Sequence, residues 1–168
     1  LTDLKEARDL RRLWQEMESA RRGGDWAGAR QRLAVLESRY RTGLELPFDS
    51  GGLKTVEVKI DREERGARLS ALWAQVPGLE ARGEFQEALE AVKRIQGEAA
   101  QADGLTFGLD EVDLKGADLL AGLGKANEAR GFYEALMERT PSRAAEIRAR
   151  LAKLPPAPRA WPLKARWK

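Results

Sequence analysis

A short phrase that recurs three times constrains the fold of this chain more than any other feature of its sequence. Each copy has a glycine that interrupts helical spacing, a polar residue directly after it and an alanine five positions after the glycine. The copies lie at 24–29, 83–88 and 124–129, and apolar residues stand four and seven positions after each alanine. Because a glycine turn between two stretches of helical apolar spacing is typical of a helical hairpin, the sequence predicts a repeated helical architecture.

The first two copies match over a longer stretch than the phrase itself. A Leu-Trp pair stands at 13–14, eleven residues before the first turn glycine, and again at 72–73, eleven residues before the second. The offset of 59 positions holds from Leu13 to Leu36, and it slips to 61 where Gly43-Leu44 is echoed by Gly104-Leu105. Two unrelated amphipathic helices would share apolar spacing but not a Leu-Trp pair at a fixed distance from a turn. We therefore interpret the two segments as a duplicated hairpin.

Composition limits the chemistry that the chain can perform. It has 168 residues and neither Cys nor His, which excludes disulfides, thiolate and imidazole metal ligands, and acid-base catalysis by Cys or His. No apolar run is long enough for a membrane span and no leader is evident, so we expect a soluble, cytoplasmic protein. The high charge fraction and scarcity of Asn fit a thermophilic bacterial source, and a GC-rich genome would also favour the many Arg residues. We expect no catalytic residues, no metal and no cofactor.

The net charge of +3 comes from the end of the chain. Residues 155–168 carry four basic side chains and no acid, whereas the rest has 26 basic and 27 acidic side chains. Charges of both signs alternate through the predicted helices, which is typical of a solvated helix face. The body of the protein is therefore not expected to be a nucleic-acid surface.

Helical spacing predicts most of the remaining elements. Helices are expected over 2–22, from Asp25 as cap to about Arg41, from Asp61 to about Arg82, over 84–102, from Asp110 to 123, then to about Arg139, and over 141–154. Pro77 predicts a kink or break in the third of these helices. Residues 44–60 alternate apolar and polar around a Gly-Gly turn, which predicts an inserted β-hairpin.

The third copy resembles a tetratricopeptide repeat. Leu119, Leu120 and Leu123 precede its glycine, and Tyr133, Leu136 and Pro141 follow Ala129 at that family's spacing. The first two copies depart from the pattern, since Glu16 and Gln75 replace a large apolar residue and the terminal proline is missing. The resemblance implies an all-α, right-handed array of antiparallel hairpins within residues 1–154, with repeats at about 10–42, 69–102 and 110–140, the β-hairpin at 44–60 and a capping helix at 141–154.

The resemblance further implies a concave groove, lined by the first helix of each repeat, that binds a peptide or protein segment. Projected onto this chain, the groove candidates are Arg11, Trp14, Glu18, Arg21, Arg22, Trp73, Glu80, Glu111 and Asp118. The two Trp side chains could instead fill the seam between helices, and that interpretation is favoured on general grounds because buried indoles more often pack than bind. The sequence alone leaves both alternatives open.

Two features lie outside the repeat pattern. The predicted hairpin could pack on the helices, pair with a sheet edge or bind a partner strand. The Pro-rich tail at 155–168 mixes indoles with cations, which suits anionic membranes, nucleic acid or a docking groove. Its candidate residues are Arg159, Trp161, Lys164, Arg166 and Trp167.

We expect from these observations a non-enzymatic scaffold that binds a protein partner, either a peptide or a helix, through the groove. The alternative is an adaptor for nucleic acid or an anionic membrane surface that acts through the tail. Salt dependence separates the two, because phosphate contacts weaken steeply with added salt.

Overall fold

The computed structural model describes residues 2–157, and every regular element among them is helical. Two single 3-10 turns, Ala99–Gln101 and Pro141–Arg143, accompany the longer helices. The α-helices are α1 (Thr2–Arg22), α2 (Trp26–Arg39), α3 (Ser50–Ala81), α4 (Phe85–Glu98), α5 (Leu109–Gly122), α6 (Ala126–Arg139) and α7 (Ala144–Leu151). The all-helical part of the predicted fold is confirmed. Among residues 2–157, no helix has both the length and the apolar character that crossing a membrane requires.

The β-hairpin predicted at 44–60 is wrong, because α3 already begins at Ser50. The Asp49 carboxylate accepts a hydrogen bond from the Gly52 amide at 2.6 Å, so the Asp-Ser-Gly-Gly sequence caps a helix and does not turn a hairpin. Leu53, Val56 and Ile60 are buried at helical spacing, whereas Val58 is 58% exposed. An alternating strand would have placed Val58 on the same side as Val56 and Ile60.

Other helix boundaries in the structure also differ from the predicted ones. The helix expected to open at Asp61 opens eleven residues earlier, and it continues through Pro77 to Ala81 without a break in its assignment. Asp110 does not cap α5, whose cap position is taken by Gly108 with no side-chain hydrogen bond. Asp25 does cap α2, since its carboxylate accepts from the Gly28 amide at 2.9 Å. The helix predicted at 141–154 is shorter and starts with the 3-10 turn.

Three turns of the chain have the same backbone structure. Gly24, Gly83 and Gly124 all have positive φ, between 74° and 77°. In each turn the glycine amide donates to the carbonyl three residues back, and the next amide donates to the carbonyl five residues before it at 2.9 Å. These two bonds define a Schellman motif, in which a left-handed glycine ends the helix. The alanine five positions after each glycine is completely buried, so the recurring phrase corresponds to one repeated helix-turn-helix geometry.

The described residues fall into two compact units. The first contains residues 2–72 and 97–106, and the second contains residues 73–96 and 107–157, so α3 and α4 contribute to both. In the first unit α1 packs on α2, and the buried cluster is Leu10, Met17, Ala29, Leu33, Leu36, Leu53, Val56 and Ile60. Its edge is formed by partly buried side chains that include Trp14 and Phe48.

The second unit has its own buried side chains. α5 packs on α6, and α6 contacts α7. Gly116 lies where α5 approaches α4, because a Cβ atom at this position would come within 3.2 Å of the Val92 side chain. Tyr133, Leu136 and Ile147 are among the largest fully buried side chains of this unit.

Candidate functional site

Trp14 is held on the surface of the first unit by an aromatic stack. Its ring lies 4.6 Å from the ring of Phe48, with an angle of 19° between the two planes. Phe48 belongs to the segment 44–49, which links the end of the α2 region to α3 and has no regular secondary structure. Arg11, one turn before Trp14 on α1, donates from Nε to the carbonyl oxygen of Glu45 at 3.1 Å. A second guanidinium nitrogen of Arg11 donates to the same oxygen, so the segment 44–49 is fixed along α1 by one stack and two charged hydrogen bonds.

Two open hollows flank Trp14, and we call them the Trp14 hollows. The first has a volume of about 720 Å³ and is lined by Arg11, Trp14, Gln15, Glu45, Leu46 and Pro47. The second has a volume of about 670 Å³ and is lined by Trp14, Glu18, Leu46, Pro47, Phe48, Asp49, Gly52, Thr55, Val56 and Lys59. Trp14, Leu46 and Pro47 line both, so the two hollows share one apolar wall with charged side chains around it.

Arg21, another groove candidate, is buried and forms ion pairs within the first unit. It is only 7% exposed, and its guanidinium contacts Glu18 at 2.9 Å and Glu63 of α3 at 2.6 Å. The hydrogen bond from Arg21 lowers the pKa of Glu18, while partial burial opposes that shift. The same bond raises the pKa of Arg21. This pairing ties α1 to α3 and positions Glu18 at the second hollow.

Arg22 differs from Arg21 in its surroundings. Its side chain is 75% exposed, and it lies 3.6 Å from the Glu18 carboxylate. Among the first-unit candidates, the structure thus brings together Arg11, Trp14 and Glu18 along the hollows.

The second-unit candidates have separate partners. Trp73 is partly buried, with its ring 5.4 Å from that of Phe107. Glu80 forms an ion pair with Lys115 at 3.0 Å. Glu111 is exposed in the first turn of α5.

Asp118, the last groove candidate, belongs to a polar cluster in the second unit. It accepts a hydrogen bond from the Tyr133 hydroxyl and lies 3.0 Å from the Arg150 guanidinium. Burial raises the pKa of Tyr133, and the contact with Asp118 adds to that shift. The cluster joins α5, α6 and α7, so it serves to hold these helices together.

The tail candidates lie outside the described residues. They are Arg159, Trp161, Lys164, Arg166 and Trp167. Within residues 2–157, no group of three or more acidic side chains is arranged to hold a metal ion.

The sequence analysis did not predict the part of the lining of the Trp14 hollows that comes from the supposed hairpin. Leu46, Pro47, Phe48 and Lys59 fell within the supposed hairpin, so they were not connected with Trp14. A signal for the stack was present, because Phe48 follows Trp14 by 34 residues and Phe107 follows Trp73 by the same 34. Both Phe rings contact the Trp that precedes them.

The chain was compared with protein-family models, with curated proteins and with solved structures. None of them matches it. The resemblance to tetratricopeptide repeats therefore stays a prediction from the sequence pattern.

Proposed function

We propose that the protein is a non-enzymatic interaction module that binds a peptide or a partner helix in the Trp14 hollows. The observation that supports this most directly is the position of Trp14, whose ring forms a wall of both hollows while charged side chains surround them. Indole side chains supply large contact areas at protein interfaces, and charged rims add selectivity. Each hollow has the volume of a typical ligand cleft, which is enough for one or two side chains of a partner.

The tetratricopeptide-like groove remains part of this proposal in a reduced form. Of its nine candidate residues, Arg11, Trp14 and Glu18 line the Trp14 hollows. Three others form ion pairs within their own unit, which leaves them less available to a ligand: Arg21, Glu80 and Asp118. The proposed contact surface is therefore centred on α1 and the segment 44–49.

A displayed library of random peptides tests the proposal, with the immobilised full chain as bait. We expect peptides that bind at low and at high salt, and that lose binding to a Trp14→Leu variant. This substitution keeps a helix-forming apolar residue and removes the indole wall. Leu4→Ala is the matched control, since Leu4 lies on the same helix, is 74% exposed and lines neither hollow. Equal loss in both variants, or no selected peptide, would overturn the proposal.

The alternative function is an adaptor for nucleic acid or an anionic membrane, and the composition of the tail favours it. Residues 158–168 contain four cations, two indoles and no acid. A chain ending at Ala157 tests it, because this end point keeps Pro155, whose carbonyl accepts a hydrogen bond from Arg130. If binding to a single-stranded oligonucleotide or to anionic vesicles requires the tail and disappears with added salt, the adaptor function is supported.

A further inference from the structure

The acids around the Trp14 hollows are mostly neutralised within the protein. Glu18 is paired with Arg21 at 2.9 Å and with Arg22 at 3.6 Å. The Asp49 carboxylate accepts a hydrogen bond from the first turn of α3, where the helix dipole places a positive partial charge. Glu45 is exposed, and its carboxylate forms no hydrogen bond or ion pair with another described residue. One rim acid therefore remains uncompensated.

The cations around the hollows are less well compensated. Arg11 and Lys59 are both exposed, and neither forms an ion pair with a described residue, although the charge of Lys59 contributes at longer range to the lowered pKa of Glu18 and of Asp103. Arg11 donates only to a neutral carbonyl oxygen, so its full positive charge remains. Arg11 lines the first hollow and Lys59 the second, so each hollow has an unpaired cation beside the shared apolar wall.

We propose that the Trp14 hollows recognise a peptide in which an apolar side chain is flanked by acidic residues. The inference rests on the proposed function and specifies the chemistry of its partner. The apolar side chain packs against Trp14, Leu46 and Pro47, and acids on its two sides meet Arg11 and Lys59. Such pairs across a partly desolvated rim contribute to selectivity more than to affinity.

The peptides selected in the library screen give the first test. We expect Asp and Glu to be enriched within two or three positions on either side of an apolar residue. Selected peptides that carry Lys, Arg or no charge at these positions would overturn this inference and leave the proposed function intact. If no peptide is selected, the proposed function fails together with the inference.

A charge reversal gives the second test, with the best selected peptide labelled for fluorescence anisotropy. We expect Lys59→Glu to weaken binding about five- to tenfold at low salt. Lys54→Glu is the control, because Lys54 is an exposed lysine of the same helix that lines neither hollow, and we expect it to change Kd by less than about twofold at a remote surface site. Replacing by Lys only the peptide acid that meets Lys59 should restore binding to Lys59→Glu, because the other acid still meets Arg11.

Two results of this experiment would contradict the inference. The first is an unchanged Kd for Lys59→Glu, or equal weakening by Lys54→Glu. The second is a single-stranded DNA oligonucleotide that displaces the peptide and loses affinity with Lys59→Glu, because the two cations would then serve a phosphate backbone.

Discussion

Gly66 of α3 is a position at which one methyl group should destabilise the first unit. A Cβ atom at Gly66 would lie 1.7 Å from the carbonyl oxygen of Asp103, far inside van der Waals contact. Asp103 is held in place by its backbone, since its amide donates to the Arg62 carbonyl at 3.0 Å. The Arg62 guanidinium also pairs with the Asp103 carboxylate at 2.8 Å. The clash is therefore with main chain that is fixed at two points.

The size of the expected destabilisation follows from the displacement of the segment around Asp103. Gly→Ala inside an unobstructed helix stabilises it by about 0.5–1 kcal/mol, because glycine loses more backbone entropy on folding. At Gly66 the segment around Asp103 must shift instead, which costs an overpacking penalty of about 1–3 kcal/mol. Loss of the bond from the Asp103 amide adds about 1 kcal/mol. We expect Gly66→Ala to lower the free energy of unfolding by about 1–3.5 kcal/mol after the helix-propensity gain.

Urea unfolding followed by circular dichroism measures this change. Gly131→Ala is the matched control, because Gly131 lies inside α6 and nothing is within 4 Å of the position of its Cβ atom. We expect Gly131→Ala to stabilise the protein by about 0.5–1 kcal/mol. If Gly66→Ala is as stable as the wild type or gains as much as Gly131→Ala, the close approach of α3 and Asp103 is wrong.

Two further substitutions test polar contacts, one in each unit. The lowered pKa of Glu18 means that its pairing with Arg21 stabilises the protein above the unfolded-state pKa, and that this contribution is lost as the pH falls through the folded-state pKa. Glu18→Gln should therefore lower the melting temperature at pH 7, and its difference from the wild type should shrink as the pH falls below the ordinary pKa of a glutamate; a difference that does not change with pH would contradict the pairing. Tyr133→Phe should cost about 1 kcal/mol in urea unfolding, because it removes a buried hydroxyl's bond to Asp118. The same variant should remove a tyrosine that titrates above the ordinary pKa range, and an unchanged spectrophotometric titration would contradict that assignment.

The repeated turns were predictable because one residue type determines their structure. Only glycine takes positive φ without steric cost, so a glycine between two helical patterns fixes where the first helix ends. The turns at Gly24, Gly83 and Gly124 lie where the sequence placed them. The starts of helices, which no left-handed glycine marks, were predicted less accurately: α5 begins at Leu109 and not after Asp110.

The start of α3 was not predictable from alternation alone. Val56, Val58 and Ile60 fit a strand, and only the burial of Leu53 with Val56 and Ile60 separates the helical pattern from the alternating one. The error removed Leu46 and Phe48 from consideration as partners of Trp14. The candidate site was therefore found in part, with its α1 residues predicted and the segment facing them missed.

The bounds of the helices match between the first two copies over a longer stretch than the sequence pattern indicated. Adding 59 to the bounds of α2 gives those of α4, and adding 59 to the first residue of α3 gives that of α5. The same offset relates Phe48 to Phe107. The slip to 61 is therefore confined to the loop that precedes each Phe, after α2 in the first copy and after α4 in the second. The two aromatic contacts are thus equivalent in position along the chain.

The duplicated positions differ in charge, which limits where an acidic peptide can bind. At an offset of 59, the two rim cations Arg11 and Lys59 correspond to Ser70 and Asp118, so the second copy lacks both. Asp118 is paired with Arg150, so this position of the second copy offers no cation to an acidic flank. We therefore expect calorimetry to give one bound peptide per chain. Two equivalent sites, or a site that survives Trp14→Leu and is lost on Trp73→Leu, would show that the rim cations do not select the partner.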